Sequence, residues 1–162
     1  MATGLQIETV LKKVRDVIKA GIGAKLTAIT NEMGDSVYLP APATTSYAIN
    51  ELEAIAPYPF IQILPNTSDM EIINTQSDDT AHNILVIAHN TAYEGKIDTC
   101  ALRTYRYARA IWEIIKGNQT LDDTVTFCIV ESIDYKPMTL DGNMFIQEVW
   151  LTLKLQKCES LV

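Results

Sequence analysis

The sequence predicts an α+β fold. It consists of a mostly antiparallel sheet of about five strands, an N-terminal helix and one long central helix packed on that sheet, and a long C-terminal β-hairpin. Three observations predict it. Apolar residues recur at three- and four-residue steps near 7–18 and 100–115, which is the helical period. They alternate by two along 143–157, the strand period. The remaining apolar runs are short and bounded by Pro, Gly, Asn and Asp, as strands are. With 162 residues, 48% of them apolar, the chain (1–162) fits one domain that can bury a core without disulfide or metal staples.

The first element is a helix with Ile7, Val10, Leu11, Val14, Val17 and Ile18 on one face and Lys12, Lys13, Arg15, Asp16 and Lys19 on the other. Gly21 and Gly23 are expected to stop it. A shorter helical turn with Leu26, Ile29 and Met33 inward follows and ends at Gly34. Residues 35–59 read as a long connection. Pro40, Pro42, Pro57 and Pro59 each remove a backbone donor, which blocks regular structure through most of it. One helical turn is expected at Asn50–Ala56. A loop this long is usually functional, and it is read as partner-binding or lumen-facing.

Strands follow. Phe60–Leu64 lies between two prolines. Met70–Thr75 and Ala81–His89 form a pair joined by the polar loop Gln76–Thr80. The middle of the second is apolar on both faces, as in a central strand. Asp98 or Thr99 is expected to cap the central helix, which runs to Lys116 and stops at Gly117-Asn118. Its broad apolar face holds Cys100, Ala101, Tyr105, Tyr107, Ala108, Ile111, Trp112, Ile114 and Ile115; the opposite arc holds Arg103, Arg106, Arg109, Glu113 and Lys116. The chain closes with strands at Thr124–Ile133 and Asn143–Lys157. Tyr135–Gly142 joins them, with Pro137 and Asp141-Gly142 as turn residues.

Charge limits the function classes. Thirteen Lys and Arg face twenty Asp and Glu, a net of −7, which argues against a general nucleic-acid binder. From Leu26 to Gly95 there is no Lys or Arg, while nine acids lie in that segment, Asp78 and Asp79 among them. A long segment of one sign keeps a surface anionic and repels phosphates. The plain reading of this segment is solubility; the sharper one is a surface that must not hold nucleic acid passing close by. No run of about 18 apolar residues is present, so no membrane is expected as a partner. The first residues lack a basic segment followed by an apolar run, so no secretory signal is expected. Cys100, Cys128 and Cys158 form no C-x-x-C pair and read as small buried residues of a reducing compartment.

Catalytic constellations are weak. His82 and His89 sit seven apart on one strand and therefore point to opposite faces, so no metal is expected between them. The G-I-G at 21–23 lacks a phosphate-loop context, and Asp78-Asp79 and Asp122-Asp123 fall in expected loops without an organised pocket. The sequence thus reads as a non-enzyme with no cofactor and no metal. Arg103, Arg106 and Arg109 form the one basic cluster with geometry. They are either a solvated helix face or a docking surface for an acidic partner, in which case reversing them to Glu is expected to weaken assembly and spare the fold. Met138, Leu140, Met144 and Phe145 are apolar groups at the tip of the final hairpin, covered either by the same chain or by another subunit.

Element order adds a resemblance. An amphipathic helix and a Pro-rich loop lead into YPFIQIL, then the hairpin EIINTQSDDTAHNILVIAHN and the helix DTCALRTYRYARAIWEIIKGN. The strands TFCIVESIDYKP and NMFIQEVWLTLKLQ follow. Over nearly the whole chain this pattern resembles the tail terminator (tail completion) proteins of long-tailed bacteriophages. RYARAIWEII, IDYKP and IQEVWLTLKLQ carry most of it.

The resemblance implies a structural virion protein, made in the host bacterial cytoplasm and located at the tail–neck junction. It implies a ring of six copies that caps the tail tube, ends its growth and meets the head–tail connector. DNA passes through that ring without specific binding. Its partners are then the chain itself, the tail tube protein and the connector. Arg103, Arg106, Arg109, Met138, Leu140 and Met144 become expected subunit or partner contacts, and Asp78 and Asp79 expected lumen or loop acids. The alternatives are another phage neck or head–tail joining protein and, from a different class, a small cytosolic binding module.

Overall fold

The computed structural model describes residues 7–49, 57–74, 77–93 and 96–160, with 70–74, 77–79, 93 and 158–160 described by backbone alone. The expected turn at Asn50–Ala56 lies outside the described residues. Helix α1 spans Ile7–Met33, strand β1 Tyr47–Ile49, β2 Phe60–Asn74 and β3 Ser77–Tyr93. Helix α2 spans Ile97–Gly117, and β4 Phe127–Tyr135, β5 Thr139–Asp141 and β6 Met144–Ser160 complete the chain. The strands form one six-stranded sheet in the order β1-β2-β3-β6-β4, with β5 hydrogen-bonded to β6. Every pair is antiparallel except β1 with β2. The fold is α+β, as the sequence predicts.

The expected helix stop at Gly21 and Gly23 is corrected: α1 continues unbroken through both for 27 residues. A Cβ on Gly21 would lie 3.2 Å from Ile114 Cγ1, so the bare backbone there lets α2 approach closely. Ile22, Leu26 and Ile29 are buried beyond it. Fully burying each such side chain stabilises by about 1.5–3 kcal/mol, which outweighs a glycine's helix cost of about 1 kcal/mol. The true stop is Gly34, left-handed at φ 62°, whose N–H bonds to Thr30 O at 3.1 Å.

Two strand boundaries are also corrected. Pro65 does not end β2. It sits at a register shift between Pro65 and Thr67, two residues past the stretch that β1 covers, so its missing N–H breaks no ladder bond. Residues 77–80 belong to β3 rather than to a loop. The caps expected for α2 are corrected as well. Lys96 holds the N-cap position without a side-chain bond, and Asp98 and Thr99 lie in the first turn. The final hairpin is tighter than expected, because β5 pairs with the start of β6 across Gly142, which has φ 62°.

Both helices cover the same sheet face. Helix α1 lies over β1 and β2, and α2 over β3, β6 and β4. Between them and the sheet sit Ile18, Ile22, Leu26, Tyr107 and Ile111, against Ile63, Ile84, Val86, Leu151 and Leu153. Residues on the other sheet face, Gln62, Leu64, Leu85, Glu148, Trp150 and Thr152, are half-buried, and no helix among the described residues packs on them.

Candidate functional site

The three arginines of α2 are not the free arc that a helical wheel suggests. Arg106 is buried and donates from Nη1 to Asp35 Oδ1 at 2.9 Å and from Nη2 to Asp35 Oδ2. Arg109 donates to both Glu32 oxygens, at 3.1 and 2.6 Å, and to Glu113 Oε1 at 2.8 Å. Arg103 donates to the carbonyls of Tyr38, at 2.6 Å, and Thr91, at 3.1 Å. Tyr107 Oη adds a bond to Pro40 O at 2.5 Å. The arginines are thus bonded within the chain rather than free as a solvated helix face. The end of α1 and residues 35–40 return over α2, and the arginines clamp them there. Arg106 and Arg109 each meet a carboxylate with both arms of the guanidinium fork, an arrangement stronger than a single contact. The Arg106 guanidinium holds the Asp35 carboxyl down at about 2.

The long loop is therefore a strap. Its Leu39 and Pro42 turn inward and are buried, and Lys19 Nζ donates to Thr44 O at 3.0 Å. Tyr47–Ile49 within the expected long connection form β1, so part of it is regular structure. Asp78 and Asp79 stand on a strand paired on both sides, not in a loop. Asp78 is opposite Ile72 and Glu159, and Asp79 is opposite Glu71 and Cys158. Acids are thus gathered at one end of the three central strands. At the other hairpin, Leu140 is 60% exposed, while Met138 and Met144 are half-buried beside it. The expected tip therefore keeps an uncovered apolar side chain.

Groups with chemistry are engaged locally. His82 and His89 lie on opposite sheet faces, as their spacing predicts: His82 Nδ1 meets Ser68 Oγ at 2.8 Å, and His89 Nε2 meets Gln62 Oε1 at 2.7 Å. His89 Nδ1 lies 3.3 Å from Glu148 Oε1, and its ring stacks on Phe60 at 4.0 Å. Burial lowers the His89 imidazole, and the Glu148 carboxylate opposes that shift. Burial pushes the Cys128 thiol up to about 12 and raises Cys100, so neither is a ready thiolate at neutral pH. Among the described residues, no three His, Cys, Asp or Glu side chains converge as a metal site. No helix among them is long and apolar enough to cross a membrane.

No protein-family model matches the chain. No curated protein matches it. A chain of the solved "Virion of native gene transfer agent (GTA) particle" aligns over 85% of this chain and 93% of its own. The identity is 9% and the TM-score 0.35, a likeness too loose to bear on fold or function.

One surface escapes the sequence reading. Tyr105 and Trp112, expected in the core, are 47% and 38% exposed, and Leu102 joins them on the same side of α2. Ile129 and Tyr135 on β4 are exposed beside them. The signal was the width of the apolar arc: nine residues spread over more of the helix than one sheet can cover. Open hollows also lie on the surface of the described residues. One of 450 Å³ lies between the helices beside Gly21 and Ile114. Another of 450 Å³ lies between α1 and the strap, and one of 240 Å³ lies between α2 and β4.

Proposed function

We propose that this chain is a structural subunit of a phage tail, the tail terminator. In this reading six copies form a ring that caps the tail tube, halts its growth and offers the head connector its docking surface. The observation that carries the reading is the division of charge across the sheet. Strands β1, β2 and β3 come wholly from the segment without Lys or Arg, and Asp69, Glu71, Asp78 and Asp79 lie on them. A bore bordered by such strands repels the phosphates that pass through it, so DNA moves without being gripped. The element order of the family supports the same reading. So does a helix α2 whose three arginines are spent on internal bonds, while Tyr105, Trp112 and Leu140 are left partly outside. The work of such a subunit is shape and contact, without a reacting group.

Purified particles test this. Quantitative mass spectrometry of virions is expected to find the protein at a few copies per particle, and a reconstruction to place it as a collar between tube and neck. A protein absent from washed particles is a binding module instead. One located elsewhere in the neck is a joining protein.

A further inference from the structure

We infer that His89 is a proton switch on the sheet face opposite the helices, with one proton resident on Nε2 and a second taken up on Nδ1 against the Glu148 carboxylate. The inference stands apart from the ring reading. Its ground is that both ring nitrogens face oxygen. Nε2 lies 2.7 Å from Gln62 Oε1, the length of a formed bond, and Nδ1 lies 3.3 Å from Glu148 Oε1, longer than one. A neutral imidazole has a single N–H. Donated to Gln62, it leaves the Nδ1 lone pair pointing at an anion. A second proton turns that opposed contact into a charge-assisted bond. The ring cannot turn away, because it stacks on Phe60 at 4.0 Å and 16°, and Tyr58 meets Phe60 at 5.1 Å.

The switch is tied to a chain of groups across four strands. Strand β2 supplies Gln62, β3 His89, and β6 both Glu148 and Trp150, whose Nε1 donates to Glu148 Oε2 at 2.9 Å. From the end of β4, Lys136 lies 4.3 Å from the Trp150 ring centroid, pairs with Asp134 and donates its backbone N–H to Glu148 O at 3.0 Å. Tyr58 feels Glu148 and Asp141, but burial and both carboxylates raise its hydroxyl, so it stays neutral while His89 titrates. Among the described residues, the charges on this network are therefore two carboxylates, Glu148 and Asp134, and one ammonium, Lys136. An imidazolium at His89 cancels the surplus negative charge. Solvent can deliver the proton, since the Glu148 side chain is 35% exposed. Burial of the ring holds the second proton off and Glu148 draws it on, which sets the switch below the ordinary 6.5.

Ring-nitrogen NMR of the full labelled chain between about pH 8 and 5 tests this. His82, on the other sheet face, gives the second imidazole, and His89→Gln tells the two apart. At the alkaline end His89 is expected to carry its proton on Nε2. As pH falls, Nδ1 gains the second proton, and the Trp150 indole N–H resonance moves with the same midpoint. Trp112→Phe leaves that indole alone in its region, and His89→Gln abolishes its movement. Glu148→Gln keeps an oxygen for the indole but removes the charge, and is expected to lower the His89 midpoint by about one unit. A resident proton on Nδ1 overturns the switch, since Gln62 would then present its amide nitrogen to the ring. So does a ring that gains no second proton in this range, an indole that does not follow it, or an unmoved midpoint in Glu148→Gln. Should that variant not fold, the tautomer and the indole shift of the parent chain decide the matter.

Discussion

At the scale of single residues, Arg106 and Asp35 are unequal partners. Arg106 is buried, whereas Asp35 reaches solvent. Removing the carboxylate strands a guanidinium in a low-dielectric site, while removing the guanidinium leaves a carboxylate that water can solvate. Asp35→Ala is therefore expected to lower the melting temperature more than Arg106→Leu; the opposite order in thermal unfolding would count against a clamp built around Arg106. Acid separates the pair in a second way. The Asp35 carboxyl sits at about 2 in the fold, against an ordinary 3.8. The unfolded chain takes up that proton first, so the stability linked to the pair is whole above the ordinary value and is lost as pH falls toward 2. Asp35→Asn removes that loss. His89 acts in a different window. Burial keeps its imidazole below the ordinary 6.5, so the unfolded chain protonates first and stability drops as pH falls through the mid-sixes. Urea midpoints measured between about pH 7 and 5 are expected to slope less for His89→Gln than for the parent. Equal slopes would mean that the imidazole carries no linkage.

At the scale of elements, Gly21 and Gly23 separate two reasons for a glycine in a helix. A Cβ on Gly23 meets nothing within 4 Å, so Gly23→Ala is expected to stabilise by about 0.5–1 kcal/mol through helix propensity alone. At Gly21 the space is taken by Ile114, and Gly21→Leu is expected to destabilise by about 1–3 kcal/mol by prying α2 off α1. Denaturant unfolding of both variants checks this, and a stabilised Gly21→Leu would refute the close approach. The same pair shows what is legible in a sequence. Residues 7–18 declare a helix because their period is unbroken. The continuation through Gly21 is hidden, because a local breaker is overruled by burial of Ile22, Leu26 and Ile29, which only the packed structure reveals. Strands β3 and β6 announce themselves by alternation over many residues. Strand β1 has three residues, too few to carry a period, and its parallel pairing with β2 depends on a strap whose course has no sequence signature.

At the scale of the whole molecule, the interaction surface is the least legible part, for a physical reason. A helical wheel tells which residues share an arc but not what folds back over it. Arg103, Arg106 and Arg109 therefore read as free and are bound, while Tyr105 and Trp112 read as core and are exposed. Charge division, by contrast, is plain in the sequence and survives folding, because a cation-free segment stays so wherever it is placed. Its consequence can be measured on the purified protein. A net charge of −7, with the central acids gathered on β2 and β3, is expected to leave the mobility of duplex DNA unchanged even at low salt. Asp78→Lys/Asp79→Lys replaces two acids with two cations at the start of β3 and makes a basic site where phosphates were repelled. Retardation of DNA should then appear at low salt and vanish as salt rises, because counterion release drives such binding. Salt-sensitive retardation by the unmodified chain would contradict a bore that lets DNA pass ungripped. Silence from the lysine variant would show that the acids at the start of β3 are not what keeps DNA away.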